Sequence, residues 1–293
     1  MGYTQWSSDA YDNFRRSYAG KTREEIFSVR GMHPGMSPLG VHYRESRDSE
    51  QHPESLAVQV YLDVTGSMGR IPELLVTQKL GSLMDTLIGY GILHPQILFG
   101  AIGDQYTDQC PLQVGQFESG TGELNQWLTN IYLEGGGGGQ SCESYQLAWL
   151  FAARHTSTDC FEKRGQKGFV FTIGDEWTWD QVSREETSRI TGEREASTSL
   201  SARLLEEAMR TSHVFHIHIN EGSYRNNRMI LDRWSHLLGK HFIVLDDYRS
   251  VAETIAVLVA LTQGIQLDRA TRHFNKETSK NIFSALKTFN LFR

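Results

Sequence analysis

The chain has 293 residues, 39% of them hydrophobic, and a formal net charge of −6. This composition supports a sizeable core, and the acidic balance argues against global attraction to nucleic acid or to anionic lipid. Three cysteines without a CxxC pair argue against a disulfide scaffold or a structural zinc site. No apolar run reaches the ~18 residues of a membrane span, and no signal-peptide core is visible. We therefore expect a cytoplasmic protein that does not contact a membrane.

The first 55 residues are predicted to be an extension made of short helices and linker. Tyr11, Phe14 and Tyr18 are spaced for one face of a helix. Thr22 and Glu25 then predict a capping box at the start of a second helix. The stretches GMHPGMSPLG and RESRDSEQHPES that follow are typical of loops and linkers.

Residues 56–264 are predicted to form the main domain. Five short apolar runs recur there, LAVQVYL, QILFGAI, GFVFTI, VFHIHI and HFIVL, and helix-compatible segments separate them. This alternation predicts an α/β fold with a Rossmann-like, open, mostly parallel, doubly wound sheet. The stretch CPLQVGQF predicts one antiparallel edge strand. Ser250 and Glu253 predict a capping box before the last long apolar helix.

Acidic residues follow several of these strands. Asp63 ends the first run, Asp104 follows the second, and Asp175 and Glu176 follow the third. In an open α/β sheet, ligands bind beyond the carboxyl ends of the strands. We therefore expect these acids to lie at one edge of the sheet.

The stretch YLDVTGSMGR places three oxygen donors, Asp63, Thr65 and Ser67, at alternate positions around a turn. It contains neither a P-loop nor a GxGxxG fingerprint. An aspartyl-phosphate hydrolase would need a second Asp where Thr65 stands, and a hydroxyl cannot act as general acid or base near neutral pH. Oxygen donors of this kind suit a hard cation such as Mg²⁺.

A second informative stretch is LEGGGGGQSCESYQLAWLFAAR. Its glycine run permits close backbone approach, and it leads into a helix predicted to begin near Cys142. Ser141 stands at the expected N-cap and can also offer a hydroxyl to a metal. Glu143 is predicted in the first turn, where the helix dipole favours an acid.

Together these motifs resemble the von Willebrand factor A domains, whose metal-ion-dependent adhesion site reads Asp-x-Ser-x-Ser, then Thr, then Asp. The resemblance covers roughly residues 56–262 and is closest to the branch with DxTGSMG and a later GGGGxxPE loop, seen in bacterial proteins and beside alpha-kinases. In this chain, Cys142 replaces the Pro of that loop. The metal ligands that the resemblance implies are Asp63, Thr65, Ser67, Ser141 and Asp175. Candidates for an outer shell or for partner contact are Asp104, Glu143, Glu176 and Trp177.

The resemblance also implies a strand order of 3-2-1-4-5-6 and bound Mg²⁺, with Mn²⁺ or Ca²⁺ as alternatives. Family members usually bind partners rather than catalyse, and a partner's Glu or Asp completes the coordination shell. Bacterial intracellular members often act beside AAA+ ATPases of the MoxR type, or in defence and stress operons. We therefore expect a Mg²⁺-dependent adaptor that is not an enzyme.

Other interpretations stay open. The chain could be a metal-dependent hydrolase or phosphoryl-transfer enzyme, or an assembly subunit in which the metal is incidental. His216 and His218 share a strand face, but two histidines alone are weak grounds for a metal site. Residues 265–293 form a basic, amphipathic helical tail that could pack on its own domain or dock on a partner.

Overall fold

A six-stranded sheet forms the centre of the fold. The computed structural model describes residues 4–135, 142–194 and 197–291, without the side chains of Ser67, Thr288, Asn290 and Leu291. The strands of the sheet are β1 (Leu56–Asp63), β2 (Pro95–Ile102), β3 (Leu112–Val114), β4 (Gly168–Gly174), β5 (Ser212–Ile219) and β6 (Phe242–Leu245).

The strand order is 3-2-1-4-5-6, as expected. Neighbouring strands run parallel except at one edge, where β3 pairs antiparallel with β2. Every residue of β1, β2 and β4 is buried, which explains why these strands are near-continuous apolar runs in the sequence. The apolar runs thus predicted the strands, including the antiparallel edge.

Helices surround the sheet. They are α1 (Ser8–Tyr18), α2 (Arg23–Ile26), α3 (Arg70–Leu74), α4 (Leu80–Gly89), α5 (Thr121–Thr129), α6 (Tyr145–Arg154), α7 (Asp159–Glu162), α8 (Arg184–Thr191), α9 (Ser201–Thr211), α10 (Arg228–Leu238), α11 (Val251–Thr262), α12 (Leu267–Thr271) and α13 (Lys276–Leu291). A π-helical turn, Leu75–Lys79, joins α3 to α4. Among the described residues, no helix is long and apolar enough to cross a membrane.

Helices lie on both faces of the sheet. Successive side chains of a strand point to opposite faces, and two neighbours on β5 contact different helices. Phe215 packs against Phe289 of α13, with ring centroids 5.7 Å apart. His216 stacks on Trp234 of α10 at 3.8 Å and meets Tyr145 of α6 at 4.8 Å. The sheet is therefore covered on both sides, as a doubly wound arrangement requires.

In the described part of the chain, three short strand pairs lie outside the central sheet. Arg44–Ser46 runs parallel to Thr156–Thr158, and Gln181–Val182 runs antiparallel to Ser199–Leu200. The third pair, Cys142–Glu143 with Trp177–Thr178, is parallel. It joins the segment before α6 to the segment after β4, and so brings two of the predicted site loops together.

The N-terminal extension packs on the main domain. Tyr11 of α1 is buried in the same core as the sheet, and its ring lies against Gly81 of α4, where a Cβ would come within 2.7 Å. Trp6 donates its indole hydrogen to Asp85 Oδ1 at 2.7 Å. The predicted capping box of α2 forms, since the side chains and amides of Thr22 and Glu25 bond reciprocally.

The C-terminal tail also packs on its own domain. Ile282, Leu286 and Phe289 of α13 are buried in the common core, while Phe283 stays exposed. The predicted capping box before α11 is wrong, because the Ser250 side chain makes no capping bond. Glu253 instead forms an ion pair with Lys79, at the end of the π-helical turn.

Candidate functional site

The site begins where β1 runs out of the core. Asp63 is the last residue of this strand and is fully buried. The chain then turns at Gly66, whose φ of +43° favours glycine. Thr65 folds back and donates from its backbone N–H (2.9 Å) and its hydroxyl (2.7 Å) to Asp63 Oδ1. The turn thus places an acid and a hydroxyl side by side at the carboxyl edge of the sheet.

The second oxygen of Asp63 is held by a residue that the sequence analysis missed. Tyr145, the first residue of α6, donates its hydroxyl hydrogen to Asp63 Oδ2 at 2.8 Å. Gly174, the last residue of β4, leaves room for this bond. A Cβ there would lie 1.9 Å from the Tyr145 hydroxyl and 2.8 Å from Asp63 Oδ2. Tyrosine and glycine are common in any sequence, so residue type alone does not assign these two positions to a site. Only the fold identifies them.

Asp175 and Glu176 follow β4 directly. Asp175 is only 7% exposed, and burial raises its pKa to about 6 although Arg70 favours the charged form. Burial, then the negative charges of Asp63 and Asp175, raises the pKa of Glu176 to about 8. Its Oε2 is buried without a hydrogen-bond partner. The side chain as a whole is only partly buried, so the predicted role of Glu176 in an outer shell or in partner contact stays a prediction.

Glu143 joins this group from a position other than the predicted one. It lies in the short strand Cys142–Glu143, and α6 begins only at Tyr145 with Ser144 as its N-cap. The predicted helix start near Cys142 and the dipole argument for Glu143 are therefore wrong. Burial, then the charges of Asp63 and Glu176, raises the pKa of Glu143 to about 11.

Two of the predicted metal ligands cannot be placed. Ser141 lies outside the described residues, so its predicted roles as ligand and N-cap stay predictions. The backbone of Ser67 lies in a 3₁₀ turn, Gly66–Gly69, but its side chain is outside the description. Within the described ranges, no group of three or more His, Cys, Asp or Glu side chains is arranged to hold a metal ion.

Asp104 lies in the loop after β2 and accepts hydrogen bonds there. It is buried, and its Oδ1 accepts from Trp179 Nε1 and from the amide of Tyr106, both at 3.0 Å. Its Oδ2 accepts from the Thr107 hydroxyl at 2.9 Å. Its two oxygens thus bond to the loop after β2 and to Trp179 in the segment after β4, which explains the position of Asp104 without a metal.

Trp177 does not offer a surface to a partner. Its side chain is 7% exposed and meets Trp234 edge-on with ring centroids 4.8 Å apart. The guanidinium of Arg233 lies over the ring at 4.4 Å from its centroid. This burial under α10 favours packing over a partner contact for Trp177.

The histidine pair on β5 is part of the core. His216 and His218 are both fully buried, and burial lowers the pKa of each, for His218 to about 4. The Nδ1 of His216 lies 2.9 Å from the Thr172 hydroxyl. These contacts agree with the core interpretation of the two histidines.

The donor set suits a hard cation. Asp63, Glu143, Asp175 and Glu176 influence one another electrostatically, and buried oxygens of Glu143 and Glu176 have no hydrogen-bond partner. Carboxylates removed from water in this way are costly unless a cation or a proton compensates them. Carboxylate and hydroxyl oxygens are the ligands that Mg²⁺ and Ca²⁺ prefer. The chemistry of these donors therefore fits a divalent cation, while the described acids are not grouped in threes around one point.

Comparisons with known proteins give distant matches only. No family model and no curated protein matches the sequence. Among solved structures, the pilus adhesin SpaC from Lactobacillus rhamnosus GG is similar in two conformations or crystal forms. The TM-score is 0.46 in both, identity is 8% and 9%, and the matches cover 73% and 74% of this chain. Proximal thread matrix protein 1 from the mussel byssus has a TM-score of 0.44 at 9% identity over 75% of this chain. The matches span 31% of the adhesin chain and 49% of the mussel chain.

Proposed function

We propose that this chain is a Mg²⁺-dependent protein-interaction domain of the von Willebrand factor A type. The observation that carries the proposal is the cluster of buried carboxylates at the carboxyl edge of the sheet. Asp63 and Asp175 belong to the resembling motif, and buried oxygens of Glu143 and Glu176 lack hydrogen-bond partners. A divalent cation would offset this negative charge, and Mn²⁺ or Ca²⁺ could replace Mg²⁺ in an all-oxygen shell.

The site supports binding better than catalysis. A metal-dependent hydrolase needs a positioned base and a nucleophile in addition to the ligands. Among the described residues, the neighbours of Asp63 that bond to it are hydroxyl and amide donors from Thr65 and Tyr145. These groups hold the carboxylate in place. In the proposed function, an acidic side chain of a partner protein supplies a further oxygen to the cation.

The resemblance also supplies the setting for the proposal. It suggests an adaptor within a bacterial multi-protein system, with an AAA+ ATPase of the MoxR type as a candidate partner. An adaptor of this kind would exchange partners according to the state of the cation site.

The test combines cation binding with partner capture. Wild type and Asp63→Ala are titrated with Mg²⁺ by calorimetry and used as bait in host lysate, each with Mg²⁺ and with EDTA. We expect Asp63→Ala to lose at least about 100-fold in Mg²⁺ affinity, and one partner to be retained only by wild type with Mg²⁺. Asp180→Ala is the control, because this carboxylate lies beyond β4, outside the buried group, and is 78% exposed. Equal Mg²⁺ affinity in all three proteins would reject the proposal. If the same partners are captured in every lane, the cation site is not the surface that recognises them.

A further inference from the structure

Glu143 is a buried carboxylate, and none of the charged groups that act on it most strongly among the described residues is positive. Its side chain is 2% exposed, and its Oε2 has no hydrogen-bond partner among the described residues. The charged groups that act on it most strongly are themselves acids, Asp63, Glu176 and Asp108. A helix or a loop that only needed a polar residue here would tolerate a neutral side chain at lower cost. The acid therefore needs a specific reason.

The backbone of Glu143 is fixed next to the site. The strand Cys142–Glu143 pairs with Trp177–Thr178, and the Glu143 carbonyl accepts from the Trp179 amide at 3.3 Å. The next amide, of Ser144, donates to the Gly103 carbonyl at 3.2 Å. Glu143 is thus held between the segments that follow β2 and β4, and its side chain has little freedom to turn away.

Thr65 connects Glu143 to Asp63. The Thr65 hydroxyl donates to Asp63 Oδ1 at 2.7 Å, and the same side chain lies near enough to Glu143 to favour its charged form. Two carboxylates therefore flank a single hydroxyl of the predicted ligand set. Asp63, Thr65 and Asp175 are all buried, so that little of their surface is open to a carboxylate from outside.

We propose that Glu143 is an intramolecular ligand that takes the coordination position which a partner's acidic side chain would otherwise fill. The inference rests on the proposed function, and it adds a closed state to it. Mg²⁺ accepts about six oxygens, so each carboxylate supplied by the chain leaves one position fewer for water or for a partner. A partner's acid must then displace Glu143, which makes the site selective for partners that bind well elsewhere on the surface.

A competing interpretation is that Glu143 is a neutral, protonated residue that only fills space. Glu143→Gln separates the two, because the amide is nearly isosteric with the protonated acid but cannot offer a charged oxygen. If Glu143 is neutral, the substitution changes nothing at the cation. If Glu143 is a ligand, the substitution weakens cation binding and opens a coordination position.

The experiment measures Mn²⁺ binding and the number of water molecules on the bound ion by water-proton relaxation at pH 7. Mn²⁺ accepts the same oxygen donors as Mg²⁺. We expect Glu143→Gln to bind Mn²⁺ about tenfold more weakly than wild type and to carry one more water. Added acetate should displace that water in Glu143→Gln and have no effect in wild type.

Two further variants complete the design. Asp180→Asn removes a carboxylate charge that is 78% exposed and outside the donor set, and we expect it to keep the hydration of the wild type. Glu143→Asp keeps the charge on a shorter side chain, and its Mn²⁺ affinity should fall between those of wild type and Glu143→Gln. If Glu143→Gln folds poorly, Glu143→Asp should still bind Mn²⁺ more weakly than wild type. If Glu143→Gln has the Mn²⁺ affinity and hydration of the wild type, the inference about Glu143 is overturned and the proposed function is not. A wild type that does not bind Mn²⁺ would overturn the proposed function, and the inference with it.

Discussion

Asp63 has both carboxylate oxygens in hydrogen bonds, and the donors come from different parts of the chain. Thr65 bonds to Oδ1 from two positions away, and Tyr145 bonds to Oδ2 from α6. The first contact follows from the turn that DVTGS predicts. The second depends on α6 crossing the sheet beside β4, which no short stretch of sequence reveals. One contact of Asp63 is therefore local in sequence, and the other depends on the tertiary fold.

Gly174→Ala should damage the site through its neighbours. The added Cβ would lie 1.9 Å from the Tyr145 hydroxyl, so the tyrosine must move and release Asp63. We expect a loss of about 1–3 kcal/mol in the free energy of unfolding and a weaker affinity for Mg²⁺, measured by urea denaturation and calorimetry. Gly89→Ala is the control, since a Cβ there meets nothing within 4 Å. Unchanged stability and affinity in Gly174→Ala would contradict the observed packing.

His218 should make stability depend on pH. Burial lowers its pKa from 6.5 to about 4 in the folded protein, so the unfolded chain binds more protons between these values. The stabilisation is complete above pH 6.5 and declines as the pH falls towards 4. Between pH 7.5 and pH 5, we expect this residue to account for a loss of about 2 kcal/mol in the free energy of unfolding.

The measurement is urea denaturation of wild type and His218→Leu at these two pH values. The variant should lose about 2 kcal/mol less than wild type on acidification, whatever its stability at pH 7.5. His42→Leu removes an exposed histidine and should retain the wild-type pH dependence. Parallel curves for wild type and His218→Leu would show that His218 does not titrate as described.

Helix boundaries show how far local patterns determine an element. The Thr22–Glu25 pattern forms the predicted capping box, whereas the same pattern at Ser250–Glu253 does not. There, Glu253 forms an ion pair with Lys79, which lies 174 residues away. A capping pattern fixes a helix start only when its acid has no stronger partner, and that partner is visible only in the fold.

Thr22→Ala and Ser250→Ala should therefore differ. Thr22→Ala removes a side-chain oxygen that accepts from the Glu25 amide, and we expect a cost of about 1 kcal/mol in the free energy of unfolding. The Ser250 hydroxyl makes no capping bond and accepts a long hydrogen bond from Asn281 Nδ2 at 3.4 Å, so its removal should cost less than the loss of the Thr22 cap. Chemical denaturation of both variants tests this order, and a larger cost for Ser250→Ala would contradict it.

The strands were predicted better than the site. Buried parallel strands consist of nearly continuous apolar residues. They can therefore be predicted from the sequence without knowledge of the tertiary structure. The strand order came from the resemblance to a family. Glu143 and Glu176 illustrate the limit, since both are ordinary acids in a sequence with 35 Asp and Glu residues. Glu143 becomes buried only in the tertiary structure, where the Cys142–Glu143 strand pairs with Trp177–Thr178.

At the scale of the whole molecule, both terminal segments belong to the core of the sheet domain. Tyr11 of α1 and Phe289 of α13 lie in the same hydrophobic cluster as the central strands. Arg47 adds a polar connection, because its guanidinium bonds to Asp159 and Glu162 of α7 at 2.9 Å and 2.6 Å. We therefore expect the extensions to unfold together with the domain.

Tyr11→Ala should destabilise the entire molecule. It empties a buried position between α1 and α4, and we expect a cost of about 3–5 kcal/mol in a single unfolding transition. Calorimetry and circular dichroism should give the same midpoint. Tyr43→Ala is the matched control, because Tyr43 is 46% exposed and should change the midpoint little. A separate early transition that contains α1 alone would show that the extension folds independently.

The pairing of Arg44–Ser46 with Thr156–Thr158 also has a consequence for synthesis. Arg44 pairs with Thr156, so 112 residues separate the partners. At about 5–20 residues per second, the earlier strand is made roughly 6–22 s before the later one. During this interval a nascent chain must keep the segment from pairing elsewhere. The segment and its surroundings are charged and include Arg44, Glu45, Arg47 and Asp48. Charged side chains disfavour pairing with other strands, so the linker-like composition also protects this strand until its partner has been synthesised.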